Sequence, residues 1–410
     1  MQHPSSSAPT RTVGPPPGGR PIRGRPQPPQ RPGHWSTTAA LRLGWFAVGT
    51  AMFMITGLLG TIADTFSVPV GMAGLAVTAF SIAYALGGPP LQAMLASGSS
   101  DRVLLGSLAI FGLAAVAAAT APTMGVLLAA QVVGGLAASV WGPVSAASAV
   151  AAAGADRVGR TLGGFHATSS LAMIAGAPAG LLLAQALSWR AGFGLVAVTA
   201  AVALAVLTIR PPAPITPTRS PIVERLRPLR AAGVPGTLVG TLLVMAASNS
   251  VFSYLGVLLA GTDGRVGVGL CLVLFGVAGI AGTWSGGRAA DRWGGLPVAL
   301  ASAVALVVAT ALVPLAVAVT PVLVALILVW GFTGWTFVPA QQHRLISSDP
   351  ASASILLALL SSAVQLGFAA GALAGGLVVD AGGPSWLWVV PLACGIPAVV
   401  GFAAALRRAR

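Results

Sequence analysis

The sequence predicts an all-α membrane protein of twelve transmembrane helices in two pseudo-symmetric six-helix halves, and three observations carry that prediction. The first is composition: 56% of the 410 residues are apolar, only 7% are charged, and mean hydropathy is +0.88. A soluble chain of this length needs a far more polar surface to stay dispersed. The second is a series of twelve apolar runs, each matching the roughly 20 residues that a helix needs to cross a hydrocarbon core of about 30 Å. The third is internal repetition. Asp101-Arg102 and Asp291-Arg292 each stand between two apolar runs, at corresponding places in the first and second halves of the chain.

Taken in order, the chain opens on residues 1–36, rich in Pro, Arg, Ser, Gly and Gln. Such a segment cannot bury enough surface to offset its ordering entropy, so a disordered tail is expected. Six runs follow at about 42–62, 73–96, 103–120, 124–152, 162–187 and 190–209. Six more lie at about 236–261, 266–287, 296–318, 320–345, 352–379 and 384–406. We number them spans 1 to 12. Spans 3 and 4 are parted only by Ala121-Pro122-Thr123, and spans 9 and 10 only around Thr320-Pro321, the same pattern at the same place in each half. The expected organisation is therefore a tail (1–36), an N-terminal half (37–210), a polar linker (211–235) and a C-terminal half (236–410). The linker begins P-P-A-P-I-T-P-T, which should be extended, and its segment 221–230 suits a short amphipathic helix on the membrane surface.

The net charge of +14 comes from 22 basic residues, all of them arginine. Twenty fall on one side of the predicted topology, and only Arg190 and Arg265 on the other. By the positive-inside rule both termini are expected in the cytoplasm. The charge thus reads as topology and not as a nucleic-acid surface. Cys271 and Cys394 lie inside apolar runs and suggest neither a disulfide nor a metal site, and no motif asks for a metal or cofactor.

Charge is scarce enough that its placement is informative. Gly282 to Gly295 reads G-T-W-S-G-G-R-A-A-D-R-W-G-G, a polar, glycine-rich stretch expected to form a tight cytoplasmic elbow between spans 8 and 9. Span 5 carries G-A-P-A-G at Gly176 to Gly180, then Q-A-L-S-W-R-A-G-F from Gln185. Gly176 and Gly180 share one helical face and admit a neighbouring helix, while Pro178 frees a carbonyl and bends the span.

With these motifs in this order, residues 42–406 resemble the major facilitator superfamily, in particular its bacterial drug-efflux and sugar-efflux antiporters such as the arabinose-efflux and chloramphenicol-efflux permeases. The Gly282–Gly295 stretch is similar to the superfamily's cytoplasmic loop signature, and Ser97 to Arg102 is a degenerate first-half copy. The span 5 cluster resembles the antiporter motif of the efflux branch. The resemblance implies gating or conformational roles for Asp101, Arg102, Gly176, Pro178, Gly180, Gly287, Arg288, Asp291 and Arg292. It also implies a central site between the halves, lined by spans 1, 2, 4, 5, 7, 8, 10 and 11.

On those spans Tyr84, Gln131, Trp141, Asn249, Tyr254, Trp335 and Gln365 are the candidate substrate-binding residues. Several pair with a serine at helical spacing, as Ser81 with Tyr84, Asn249 with Ser253 and Ser361 with Gln365. Amides, hydroxyls and flat aromatic surfaces suit an uncharged or amphiphilic solute; the same polar residues also serve to hold membrane helices together. Trp386 and Trp388 read as an interfacial belt.

Two positions depart from the efflux pattern. Met52 stands where those relatives usually place a Glu, and Gln131 where they usually place an Arg. All eight acids fall in loops or at span ends, so proton coupling, which the resemblance implies, has only Asp64 and His166 as candidates. The expected function is secondary active transport: export of a small neutral or amphiphilic compound, such as a drug, antibiotic or sugar-like metabolite, by a monomer working through alternating access. Its partners would be that solute, membrane lipid and, as coupling ion, the proton. A proton-independent facilitator and a non-transporting sensor on a carrier scaffold are the alternatives. No buried nucleophile-base pair, phosphate loop or filter motif suggests an enzyme or a channel.

Overall fold

The computed structural model describes residues 34–95, 99–153, 157–212, 229, 231, 233–260 and 267–409. The expected tail, except for its last three residues, and most of the expected linker lie outside the described residues. Helix is the sole regular structure among those described. Twelve helices are long and apolar enough to cross a membrane: Thr37–Gly57, Val70–Gly88, Ser100–Ala119, Met124–Ala153, Arg160–Ala186 and Trp189–Ile209, then Val234–Ala260, Val268–Trp293, Gly295–Leu315, Thr320–Ser348, Ala353–Gly382 and Pro384–Arg408. These are spans 1 to 12 in order. With twelve spans, the described residues begin and end on one side of the bundle, called here the terminal side; the other is the far side.

The two sets of six pack alike. Span 1 lies on spans 5 and 6, span 2 on span 4, and span 3 on spans 4 and 6. Span 7 likewise lies on spans 11 and 12, span 8 on span 10, and span 9 on spans 10 and 12. Between the sets, span 2 packs on span 11, span 5 on span 8, and span 1 on span 7. The first two of these contacts exchange places when each span is advanced by six, as a pseudo-two-fold arrangement requires.

Glycine stripes let the helices come this close. Gly367, Gly371 and Gly375 of span 11 face backbone carbonyls of span 7, so that an added methyl at any of them would overlap the neighbour. In the first half, Gly176 and Gly180 of span 5 lie against the side chains of Thr50 and Met54 of span 1. Lipid is as apolar as leucine, so helices here gain from close van der Waals fit and from hydrogen bonds between them. The indole of Trp45 donates to Ser169 Oγ at 2.6 Å and that of Trp330 to Ser248 Oγ at 2.8 Å, each joining two spans of one half.

Two helix boundaries differ from expectation. The first helix begins at His34, inside the segment expected to be tail. More consequentially, Gly282 to Trp293 is not an elbow: span 8 stays helical to Trp293, and the chain turns at Gly294 alone, whose φ of +86° suits glycine. The polar residues of this motif therefore sit on the last turns of a helix. Its Gly279, Gly282 and Gly286 form a stripe against Trp335, Phe332 and Thr336 of span 10.

Candidate functional site: a central cavity between the halves

A cavity of about 440 Å³ lies where the two halves meet, walled by residues of spans 1, 2, 4, 5, 7, 8, 10 and 11. Its far end is made of aromatic rings from both halves. Phe53 of span 1 meets Phe252 of span 7 edge to face at 6.2 Å, and Phe252 meets Phe275 of span 8 at 5.4 Å. Trp330, fully buried behind them, stands edge-on to both phenylalanines at 6.0 and 5.2 Å. Such tilted pairs are the arrangement aromatic quadrupoles favour. From these rings the cavity runs toward the terminal side as far as His166 of span 5 and Gln342 of span 10.

Beyond the rings the halves touch through bare backbone. A methyl at Gly256 of span 7 would stand 3.0 Å from the Thr56 carbonyl oxygen and 3.1 Å from the Gly57 Cα, and one at Gly376 of span 11 would stand 2.9 Å from the Gly71 Cα of span 2. Those approaches, together with the aromatic rings, close the far side.

The wall is mainly apolar and, among the described residues, carries no carboxylate and no guanidinium. Three methionines (Met52, Met173, Met245) and the phenylalanines supply soft, polarisable surface. A few polar groups interrupt it. Asn249 donates its amide hydrogens to Ser253 Oγ at 3.1 Å and to the Phe368 carbonyl at 2.7 Å, so its carbonyl oxygen is the atom left to accept from a ligand. Gln131 reaches the Ala76 carbonyl only at 3.5 Å. Both side chains are more than nine-tenths buried.

Of the seven expected substrate-binding residues, Gln131, Asn249 and Trp335 line this cavity. The other four lie between helices instead. Tyr84 hydrogen-bonds Ser361 across the seam between the halves, joining spans 2 and 11. Tyr254 donates its hydroxyl to the Ala372 carbonyl at 2.8 Å and is fully buried against Gly74 and Gly375. Trp141 is fully buried on Gly44, and Gln365 is buried outside the wall. Most of the wall, notably Phe53, Phe80, Phe252, Phe275 and Phe368, drew no notice in the sequence. The available signal was their spacing, since Phe252 follows Asn249 by three positions and so shares its helix face.

The two proton-coupling candidates separate. His166 lines the terminal end of the cavity, whereas Asp64 is exposed on the short helix Leu59–Phe66 at the far side. Met52 and Gln131, the two uncharged departures, both belong to the wall.

The expected gating residues form three groups. In span 5, Ala172–Gly176 is a π-helical turn, followed by Pro178 in the first turn of the next helix. Proline has no donor and its ring crowds the carbonyl four residues back, and a widened turn accommodates both. This segment sits on the seam: a methyl at Gly276 of span 8 would overlap Ile174, and one at Gly269 would touch Pro178. At the end of span 8, Arg288 donates to the Trp284 carbonyl at 3.0 Å and lies 3.8 Å over that indole, and Arg292 lies 5.7 Å from the centroid of Trp293. Asp291 is exposed, with His343 of span 10 at 3.7 Å, and Gly287 has nothing near its α-carbon that a methyl would meet. At the start of span 3, Asp101 accepts from Ser100 Oγ at 3.1 Å in the helix's first turn, where a negative charge is favourable, and Arg102 is exposed.

A sequence model of the Major Facilitator Superfamily matches residues 42–356, well over half the chain. A chloramphenicol resistance protein of Streptomyces lividans is 30% identical over 365 residues, covering 87% of this chain and 93% of that protein. The MFS-type transporter YbcL of Bacillus subtilis (strain 168) is 29% identical over 339 residues, covering 82% and 86%. Among solved structures, a bacterial homologue of the human lysosomal transporter Spinster, in an inward-facing and occupied conformation, superposes with a TM-score of 0.76 at 15% identity, over 92% of this chain and 97% of that one. That likeness is one of fold.

Proposed function

We infer that this chain, which belongs to the Major Facilitator Superfamily and is a multi-pass membrane transporter, not an enzyme, exports a small neutral or amphiphilic compound by alternating access. The observation that carries the reading is the central cavity. It is apolar and aromatic, holds a few hydrogen-bonding groups, carries no carboxylate or guanidinium among the described wall residues, and is closed on the far side by contacts between the halves. An apolar site with a small number of placed polar groups binds a lipophilic solute through area and orients it through hydrogen bonds. The resistance name of the Streptomyces lividans relative points to export.

In this reading the terminal side is cytoplasmic, as the arginine distribution indicates. The solute enters the cavity from the cytoplasm past His166 and Gln342, and the halves then rock about it. Asn249 and Gln131 orient the solute, and Trp335 and the phenylalanines supply contact area. The protein acts as a monomer in the bacterial plasma membrane.

Whether protons drive the cycle separates two versions. His166 is the group placed to couple a proton to the cavity, whereas a facilitator that runs without protons is favoured by the uncharged side chains of Met52 and Gln131 in the wall. The purified protein in liposomes, given a panel of antibiotics, other lipophilic compounds and sugars with and without an imposed proton gradient, tests both. Gradient-driven accumulation of an uncharged solute is the result expected of the antiporter, and equilibration indifferent to the gradient that of the facilitator. Transport restricted to permanently charged solutes would overturn the reading of the cavity.

A further inference from the structure

Asp380 occupies a place that its own helix does not explain. It lies in the last turn of span 11, where the carbonyl end of a helix disfavours a negative charge. Its Oδ1 instead accepts a hydrogen bond at 2.9 Å from the backbone N–H of Gly71, at the second residue of the helix that begins at Val70 and forms span 2. That N–H is one of the four that a helix start cannot satisfy internally. A carboxylate there is favoured both by the bond and by the positive end of the helix dipole. The two partners come from different halves of the transporter, 309 positions apart in sequence.

The surroundings are shaped for this contact. A methyl at Gly71 would overlap the Asp380 carboxylate and the Gly376 carbonyl oxygen, and one at Gly74 would overlap the Tyr254 hydroxyl. Tyr254 of span 7 is the titratable side chain facing Asp380. Span 2 offers Asp380 the backbone N–H of Gly71, and the turn Pro384–Trp388 packed beside it has no charged residue. Asp64 and Arg190 are also on the far side, the latter donating to the Ala121 carbonyl at 2.8 Å.

We propose that Asp380 is the far-side latch of the transport cycle: by capping span 2 from the opposite half, it holds the far side shut while the cavity faces the terminal side. This rests on the alternating-access reading above. When the far side opens, spans 2 and 11 part and the cap is lost, so the carboxylate contributes to one state only. A group with differential contacts of this kind shifts a two-state equilibrium, and a coupling at the lower end of the usual range corresponds to about fivefold.

Hydrogen exchange followed by mass spectrometry on the detergent-purified full chain tests this without a known substrate. Two variants approach the latch from different sides: Asp380→Ala removes the cap, and Gly71→Ala wedges it apart. Both are expected to speed exchange at the far ends of spans 1, 2, 7 and 11 and to slow it at the terminal ends of spans 5, 8 and 10, with Asp380→Asn intermediate. Faster exchange confined to the first turn of span 2 would reduce Asp380 to a local cap and overturn the proposal. So would unchanged exchange in both variants. Transport by the unaltered protein is measured in parallel: if it transports but exchange does not redistribute, the latch fails alone, whereas redistribution without transport of any solute would put the transport reading at fault.

Discussion

The glycines of the Gly282–Gly295 motif allow a controlled comparison, because two of them share one helix and differ only in what surrounds them. Replacing Gly282 with Ala sets a methyl against the carbonyl oxygen of Phe332, with the Phe332 carbonyl carbon at 3.0 Å and its Cα at 3.1 Å. These are backbone atoms of span 10 and cannot swing aside, so spans 8 and 10 must separate. Overpacking of this kind costs about 1–3 kcal/mol. Replacing Gly287 with Ala meets nothing within 4 Å. Both substitutions gain the same helix propensity, roughly 0.5–1 kcal/mol, so the difference between the variants isolates the packing term. At about 2–4 °C per kcal/mol for a unit the size of one half, Gly287→Ala should unfold some 2–12 °C above Gly282→Ala. The assay is thermal unfolding of the purified proteins at one scan rate. A Gly287→Ala variant as unstable as Gly282→Ala would refute the reasoning. If it is stable but slow in liposome transport, Gly287 acts in the cycle and not in packing.

Two other substitutions test the end of span 8 and the wall of the cavity. Asp291→Asn removes a carboxylate that is largely exposed and 3.7 Å from His343; an exposed pair is worth at most about 1 kcal/mol, so unfolding temperature should hold while transport slows, and unchanged transport would leave the motif with a topological role only. Met52→Glu sets a carboxylate in a wall without ionised partners among the described residues, and binding of a lipophilic cation such as tetraphenylphosphonium should tighten at least about tenfold, a modest part of what two unit charges gain in a partly desolvated site. No gain in cation affinity would mean that Met52 does not face bound solute.

The fold was legible because hydropathy reports helices that must each cross the same thickness of lipid, and all twelve runs correspond to observed spans. The end of span 8 was not. Arg288, Asp291 and Arg292 read as a loop because they are charged, yet a helix leaving the membrane keeps its own hydrogen bonds and continues until something stops it. The stop is Gly294, visible in the sequence as the first of a glycine pair. Of the residues picked from the sequence for binding, Gln131, Asn249 and Trp335, where polarity and position coincided, reach the cavity wall. Tyr84 and Tyr254 look alike in sequence to a binding tyrosine, but a buried hydroxyl in a helix bundle needs a partner, and the neighbouring helix supplied it. The five phenylalanines of the wall were hidden because an aromatic ring facing a cavity and one facing lipid have the same hydropathy.

One feature breaks the correspondence between the halves, and it lies where movement would be expected. Span 11 runs as one α-helix from Ala353 to Gly382, while its counterpart, span 5, is interrupted by the π turn Ala172–Gly176 just before Pro178. Span 5 is held along its length by two partners in different halves. Ser169 accepts from Trp45, and Gly176 and Gly180 lie on Thr50 and Met54, all of span 1 in its own half. Ile174 within the turn and Pro178 just after it press on Gly276 and Gly269 of span 8 in the other half. A regular helix transmits such opposed constraints rigidly, whereas a π turn with an adjacent proline has fewer bonds to break in bending. If the halves rock, span 5 can therefore bend at Ala172–Gly176 while span 11 moves as a rod, its far end held by Asp380 on Gly71. On the alternating-access reading, the pseudo-symmetric architecture would carry a hinge on one side of the cavity and the proposed latch on the other.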